Sequence, residues 1–181
     1  MYEIYYITTN KLIINKKYNT MSYQEKRTIV SLITGSIVLA AYCIYAFGKY
    51  QSGVVASDDL KFWANTMLFF IGVGIVVTII TQIVYHILLA IAVAVKEREH
   101  DEKKINATIE ASLVEDEMDK LIELKSSKVG FIFAGIGFVS GLIALVLNSP
   151  QFIMLNIMFF SFSLGSIFEG LVSIYYYRKG V

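Results

Sequence analysis

Very few side chains in this sequence combine reactive chemistry with an apolar setting. Glu169 is the single carboxylate inside the four long apolar stretches of the chain, and an ionisable group in such a place is costly enough to suggest a function. Ser166, Glu169 and Ser173 follow i, i+3, i+7 spacing, which puts them on one helix face directed into a bundle. The second apolar stretch carries a polar arc: Thr78, Thr81, Gln82, Tyr85 and His86 project within about 140° of its circumference at 100° per residue. His86 and Glu169 are expected at similar depth. One reading is a pair that exchanges a proton, because an imidazole changes charge with small changes of environment. The other is a buried hydrogen bond that holds helices two and four together.

A second group of candidates is acidic. Glu115, Asp116, Glu117, Asp119 and Glu123 lie between the second and third apolar stretches and could receive a basic partner or a divalent cation; the alternative is a solvated helix face. Ser112 and Glu115 have capping-box spacing, which predicts a helix start there. Val114, Met118, Leu121 and Ile122 then form a stripe at i, i+4, i+7 and i+8, an amphipathic helix that can feed into the third apolar stretch. The ligand spacing and central glycine of a calcium loop are missing. His86 and His100 are far apart, and the single cysteine, Cys43, lies in another stretch, so no zinc site is indicated. Phosphate-binding glycine loops, nucleophile elbows and metalloprotease helices are absent from the sequence. Neither cofactor nor metal is expected, and the role reads as non-enzymatic.

These residues sit on elements dictated by composition. Of 181 residues, 56% are hydrophobic and 17% charged, with a formal net charge of +1; soluble domains average about 25% charged residues. Disorder, a collagen repeat and a disulfide framework are excluded, and no concentrated basic surface calls for nucleic acid. A hydrocarbon core about 30 Å thick needs roughly 20 apolar residues in a helix. Four stretches qualify, at residues 28–47, 62–95, 129–147 and 152–177. The only proline, Pro150, falls between the last two and suits a tight turn, making them a hairpin. The second stretch is longer than the core requires, so its end should protrude and need cover. Small-residue pairs such as Ser31 with Gly35, Gly137 with Gly141, Ser161 with Gly165 and Ser166 with Gly170 permit close helix approach, within one chain or in a homo-oligomer.

Fourteen of the sixteen Lys and Arg residues lie before the first stretch, between the second and third, or after the fourth. Positive residues accumulate in short cytoplasmic loops, so both termini and segment 96–128 are expected in the cytoplasm. Tyr45, Tyr50, Phe62 and Trp63 would mark the outer boundary, and Tyr175, Tyr176 and Tyr177 the inner one. Segment 96–128 carries a net charge of −3 and should stand off anionic headgroups. Residues 1–27 read as a poorly ordered tail. Met21-Ser22 resembles a fresh start, and residues 1–20 read as a start-site artefact or a frayed end, the alternative being a short interfacial segment.

The run from Asp116 through Glu117, Met118, Asp119 and Lys120 to Lys125 resembles the acidic motif before the third helix in a family of small bacterial and archaeal membrane proteins of unknown function. Met118 stands where that motif carries arginine. Glu169 followed by Tyr176, Tyr177, Arg178, Lys179 and Gly180 is similar to the end of their fourth helix. The resemblance implies four helices in a prokaryotic cytoplasmic membrane and supplies no reaction, substrate or cofactor. The expectation is therefore an all-α integral membrane four-helix bundle with a cytoplasmic helical segment between helices two and three. Its partners are the lipid bilayer and a protein at the cytoplasmic face. An accessory or regulatory role through protein contacts comes first, and a small oligomeric carrier using Glu169 and His86 second.

Overall fold

The computed structural model describes residues 21–97 and 116–180. They form four α-helices in chain order: α1 (Tyr23–Gln51), α2 (Leu60–Glu97), α3 (Glu117–Val146) and α4 (Gln151–Lys179). Each is long and apolar enough to cross a membrane. No strand occurs among the described residues. The chain is an all-α, multi-pass membrane protein.

Local chemistry sets where each helix begins. The Ser22 side chain accepts from the Glu25 N–H to start α1. Asp59 Oδ1 accepts from the Phe62 N–H at 3.0 Å at the start of α2. Asp116 and Asp119 form a reciprocal capping box at the start of α3. Each of these satisfies backbone donors that a helix leaves free. Between α3 and α4 the chain reverses through Asn148, in the left-handed region at φ 58°, and Pro150.

The separate helical segment expected between helices two and three is not supported. From Glu117 the chain is already α3, one unbroken helix to Val146. Of the expected apolar stripe Ile122 is buried in the bundle, as is Ser126 one turn on, whereas Met118 and Leu121 are exposed. The capping box is formed by Asp116 and Asp119; Ser112, Val114, Glu115 and His100 lie outside the described residues.

Three side-chain contacts bring together the start of α1, the start of α3, the end of α4 and the His86 stretch of α2, eleven residues before that helix ends. Tyr23 near the start of α1 meets His86 of α2, Asp119 at the start of α3 accepts from Tyr177 of α4, and Arg178 of α4 pairs with Glu25 of α1. The starts of α1 and α3 and the end of α4 therefore share one end of the bundle, toward which α2 runs on past His86. The opposite end is closed by an aromatic core of Tyr42, Ala46, Trp63, Met67 and Phe152. Trp63 stacks on Phe152 with centroids 5.0 Å apart and is fully buried, so it is a core residue and not the boundary marker expected from its position.

α3 packs closely on α4 and hardly on α1 or α2, whereas α1 packs on both α2 and α4. Small residues make the α3–α4 seam. A methyl at Gly165 would stand 3.0 Å from Gly130 O, and one at Gly137 would collide with the Ser161 side chain. Phe133 stacks on Phe168 at 4.6 Å beside this seam. Large apolar side chains point outward, Ile44, Phe131 and Val146 being 77%, 77% and 80% exposed. A soluble monomer would not tolerate so much exposed apolar surface, and lipid covers it.

Candidate functional site

Because α3 leans on α4 alone, the four helices leave a cleft of about 500 Å³ between them. It begins at the end of the bundle marked by Gln24, Asp119 and Tyr177 and runs inward to Leu39, Phe70 and Phe159. From Gln24 to Leu39 that is about 22 Å along α1 at 1.5 Å per residue. Phe70 and Phe159 pack against the aromatic core, so the inner end of the cleft is sealed.

Helical periodicity delivers a polar lining from three sides. On α4, Ser166, Glu169, Ser173 and Tyr177 share the face that lines the cleft. Gln24, Thr28, Ser31 and Thr34 do the same on α1, and Asp119, Glu123 and Ser126 on α3. Thr78 is the polar contribution of α2. The α1 face was not singled out from sequence, and on α3 Asp119 and Glu123 were read as an acidic partner surface, not as cleft lining. The signal of both faces was there in the i, i+4, i+7 spacing of Gln24, Thr28 and Ser31, and of Asp119, Glu123 and Ser126.

Glu169 sits beside the α3–α4 seam. A methyl on Gly130 would stand 2.7 Å from Glu169 Oε2, so the absence of a side chain at Gly130 makes room for this carboxylate. Neither Glu169 nor Glu123 accepts a side-chain hydrogen bond from the described residues. Asp119, by contrast, is fully engaged: one oxygen takes the Tyr177 hydroxyl at 3.0 Å and the other the Asp116 N–H at 3.1 Å.

His86 is not brought to Glu169. Its ring shares a hydrogen bond with the Tyr23 hydroxyl, Nε2 lying 3.1 Å away, and is outside the cleft lining. Gln82 accepts from Arg27 Nε at 3.1 Å and donates to Ser31 Oγ at 3.2 Å. The polar arc of α2 thus ties helices one and two together, not two and four. Through Gln82 it also positions Arg27, the cation that lines the cleft.

The remaining acidic candidates divide by position. Asp116 caps α3, Glu117 is exposed in its first turn, and Glu115 is outside the described residues. Among the described residues no three His, Cys, Asp or Glu side chains converge where they could hold a metal. No family model, curated protein or solved structure matches the chain. Fold and site together define a class: a four-span membrane protein with a cleft of mixed polar and apolar lining between its helices, ending on an aromatic core.

Proposed function

We propose that this protein is a non-enzymatic membrane carrier that admits a small polar or charged solute into the cleft, with Glu169 as its principal contact. The observation that carries this reading is a Glu169 carboxylate that lines a hydroxyl-bearing cleft and accepts no side-chain hydrogen bond among the described residues. In hydrocarbon each such polar group must find a partner, and here water or a solute supplies it. The aromatic seal at Tyr42, Trp63 and Phe152 then acts as the barrier that a transport cycle opens. His86 serves this cycle structurally, by holding α1 to α2 through Tyr23. The lysine and arginine bias supports a cytoplasmic opening, with both termini on that side of a cell membrane. Reconstituted vesicles test the reading: flux of some ion or solute that Glu169→Gln abolishes is expected, and no Glu169-dependent flux across a broad panel overturns it.

A second reading, an accessory protein acting through protein contacts, is favoured by α2. At 38 residues it is about 57 Å long, and Leu88, Ile91 and Val95 near its end are exposed. Replacing these three with serine would release a partner that docks there and would leave solute flux intact.

A further inference from the structure

Resting on the carrier reading, we infer that the cleft binds an amphiphilic organic ammonium ion, its N–H groups held by Glu169 and Glu123 and its apolar body lying on Phe70 and Phe159. The charge lining the cleft favours a cation. Among the described residues Glu123 and Glu169 accept no side-chain hydrogen bond, Asp119 is engaged by Tyr177, and Arg27, the one cation among the described lining residues, donates to Gln82. A second observation points independently to a missing ligand. Gln24 and Ser173 line the cleft with only 9% of their surface exposed, and neither side chain has a hydrogen-bond partner among the described residues. Buried polar groups are nearly always hydrogen-bonded, so water or a ligand in the cleft is expected to complete these two side chains. Carboxylate oxygens only accept, and the Gln24 carbonyl and Ser173 hydroxyl can accept as well. An ammonium with several N–H donors matches that set.

Size and lining then choose among cations. Calcium takes six to eight oxygen ligands, commonly from several carboxylates, and no group of three His, Cys, Asp or Glu side chains forms among the described residues. A cleft of about 500 Å³ falls in the range that holds small organic ligands. Its inner part is apolar and aromatic, with Val38, Leu39, Ile71, Phe70 and Phe159. Aromatic faces attract cations and accept hydrocarbon equally. Since α3 hardly touches α1 or α2, the cleft is reachable from the side, as an amphiphile dissolved in the bilayer requires.

The probe is radiolabelled 4-phenylbutylamine, with neutral 4-phenylbutan-1-ol as its isostere, measured by equilibrium dialysis on the full chain in uncharged phosphatidylcholine nanodiscs against empty discs. The amine is expected to bind at least tenfold more tightly than the alcohol. Glu169→Gln should weaken amine binding about tenfold and Glu123→Gln about threefold, while Asp58→Asn at the opposite end changes nothing. Helicity and thermal midpoint confirm that each variant is folded; should Glu169→Gln fail this check, Ser173→Ala and Phe159→Leu replace it, with a threefold or greater loss expected of each. Equal binding of amine and alcohol, or amine binding indifferent to the cleft substitutions, overturns the inference. Glu169-dependent flux of sodium or potassium without amine binding overturns it too and leaves the carrier reading standing. Amine binding at Glu169 without flux of any solute upholds the site and removes the carrier reading.

Discussion

The Tyr42 hydroxyl donates to Asn156 Oδ1 at 2.7 Å, a fully buried bond between α1 and α4, and the Asn156 amide donates in turn to Phe152 O at 2.8 Å. The Tyr42 ring lies 4.3 Å from that of Phe159 and meets Phe70 edge-on at 5.6 Å. One residue therefore fixes the spacing of α1 and α4 and supports the two rings that floor the cleft. Tyr42→Phe keeps the ring and strips Asn156 Oδ1 of its donor. It is expected to cost about 1 to 2 kcal/mol, read from loss of helicity on titration of mixed micelles with dodecyl sulfate. An unchanged midpoint would mean that the bond contributes nothing to the seal.

Arg178 reaches across from the end of α4 to Glu25 at 3.0 Å, and the two side chains differ sharply in exposure, 64% for the arginine and 7% for the glutamate. The pair is partly screened, so its worth lies below the several kcal/mol of a sealed ion pair. Removing the cation leaves a buried carboxylate alone. Arg178→Met is accordingly expected to destabilise by about 1 to 2 kcal/mol. Glu25→Gln should cost less, and the double variant no more than Arg178→Met alone. Additive losses in that double-mutant cycle would show that the two residues act separately.

Glycines in this chain fall into two kinds, and substitution should separate them. Gly137 faces the Ser161 side chain so closely that a methyl collides with it, whereas Gly72 has nothing within 4 Å. Gly137→Ala should force α3 from α4 at a cost of about 1 to 3 kcal/mol, partly recovered when Ser161→Gly is added. Gly72→Ala should be neutral, or stabilising by up to about 1 kcal/mol through helix propensity. Equal effects at both positions would contradict the seam.

The four helices were legible because apolar length is a strong signal, but their ends were not. Glu25, Asp119 and Arg178 lie within helices that run past the apolar stretches, and it is their side-chain pairing at the bundle end that accommodates them. The face carrying Ser166, Glu169 and Ser173 was readable from spacing alone, and all three line the cleft. Pairing His86 with Glu169 failed for a different reason. Equal depth says nothing about which helices are neighbours, and α2 turns its polar arc toward α1. Arg27, Gln24 and Thr28 went unread because they precede or open the apolar run, where polar residues look like a solvated flank.

Helix connectivity makes a topological prediction. The start of α1 and the end of α4 lie together, and the short connection after α1 lies at the other end. In a Cys43→Ala background, Lys26→Cys and Lys179→Cys should react with a membrane-impermeant thiol reagent from the same side of sealed vesicles, and Ser52→Cys from the other. Labelling of the first two from opposite sides would be incompatible with four spans.

Gly130 offers a way to disturb the cleft without disturbing the scaffold. A methyl there would press on Glu169 Oε2 at 2.7 Å, while the nearest backbone atom, Gly165 O, is 3.8 Å away. The contact is with the far end of a flexible side chain, so Glu169 can swing toward the cleft at little cost, whereas the helices need not part. Gly130→Ala should therefore change stability by less than about 1 kcal/mol yet alter the reactivity of Glu169. A hydrophobic carbodiimide followed by peptide mass spectrometry reads this directly. Modification at Glu169 is expected in the unsubstituted chain, faster modification in Gly130→Ala, and none at that position in Glu169→Gln. A Glu169 that never reacts in the folded protein would mean that it is shut inside the α3–α4 interface, and the cleft would lose its central carboxylate.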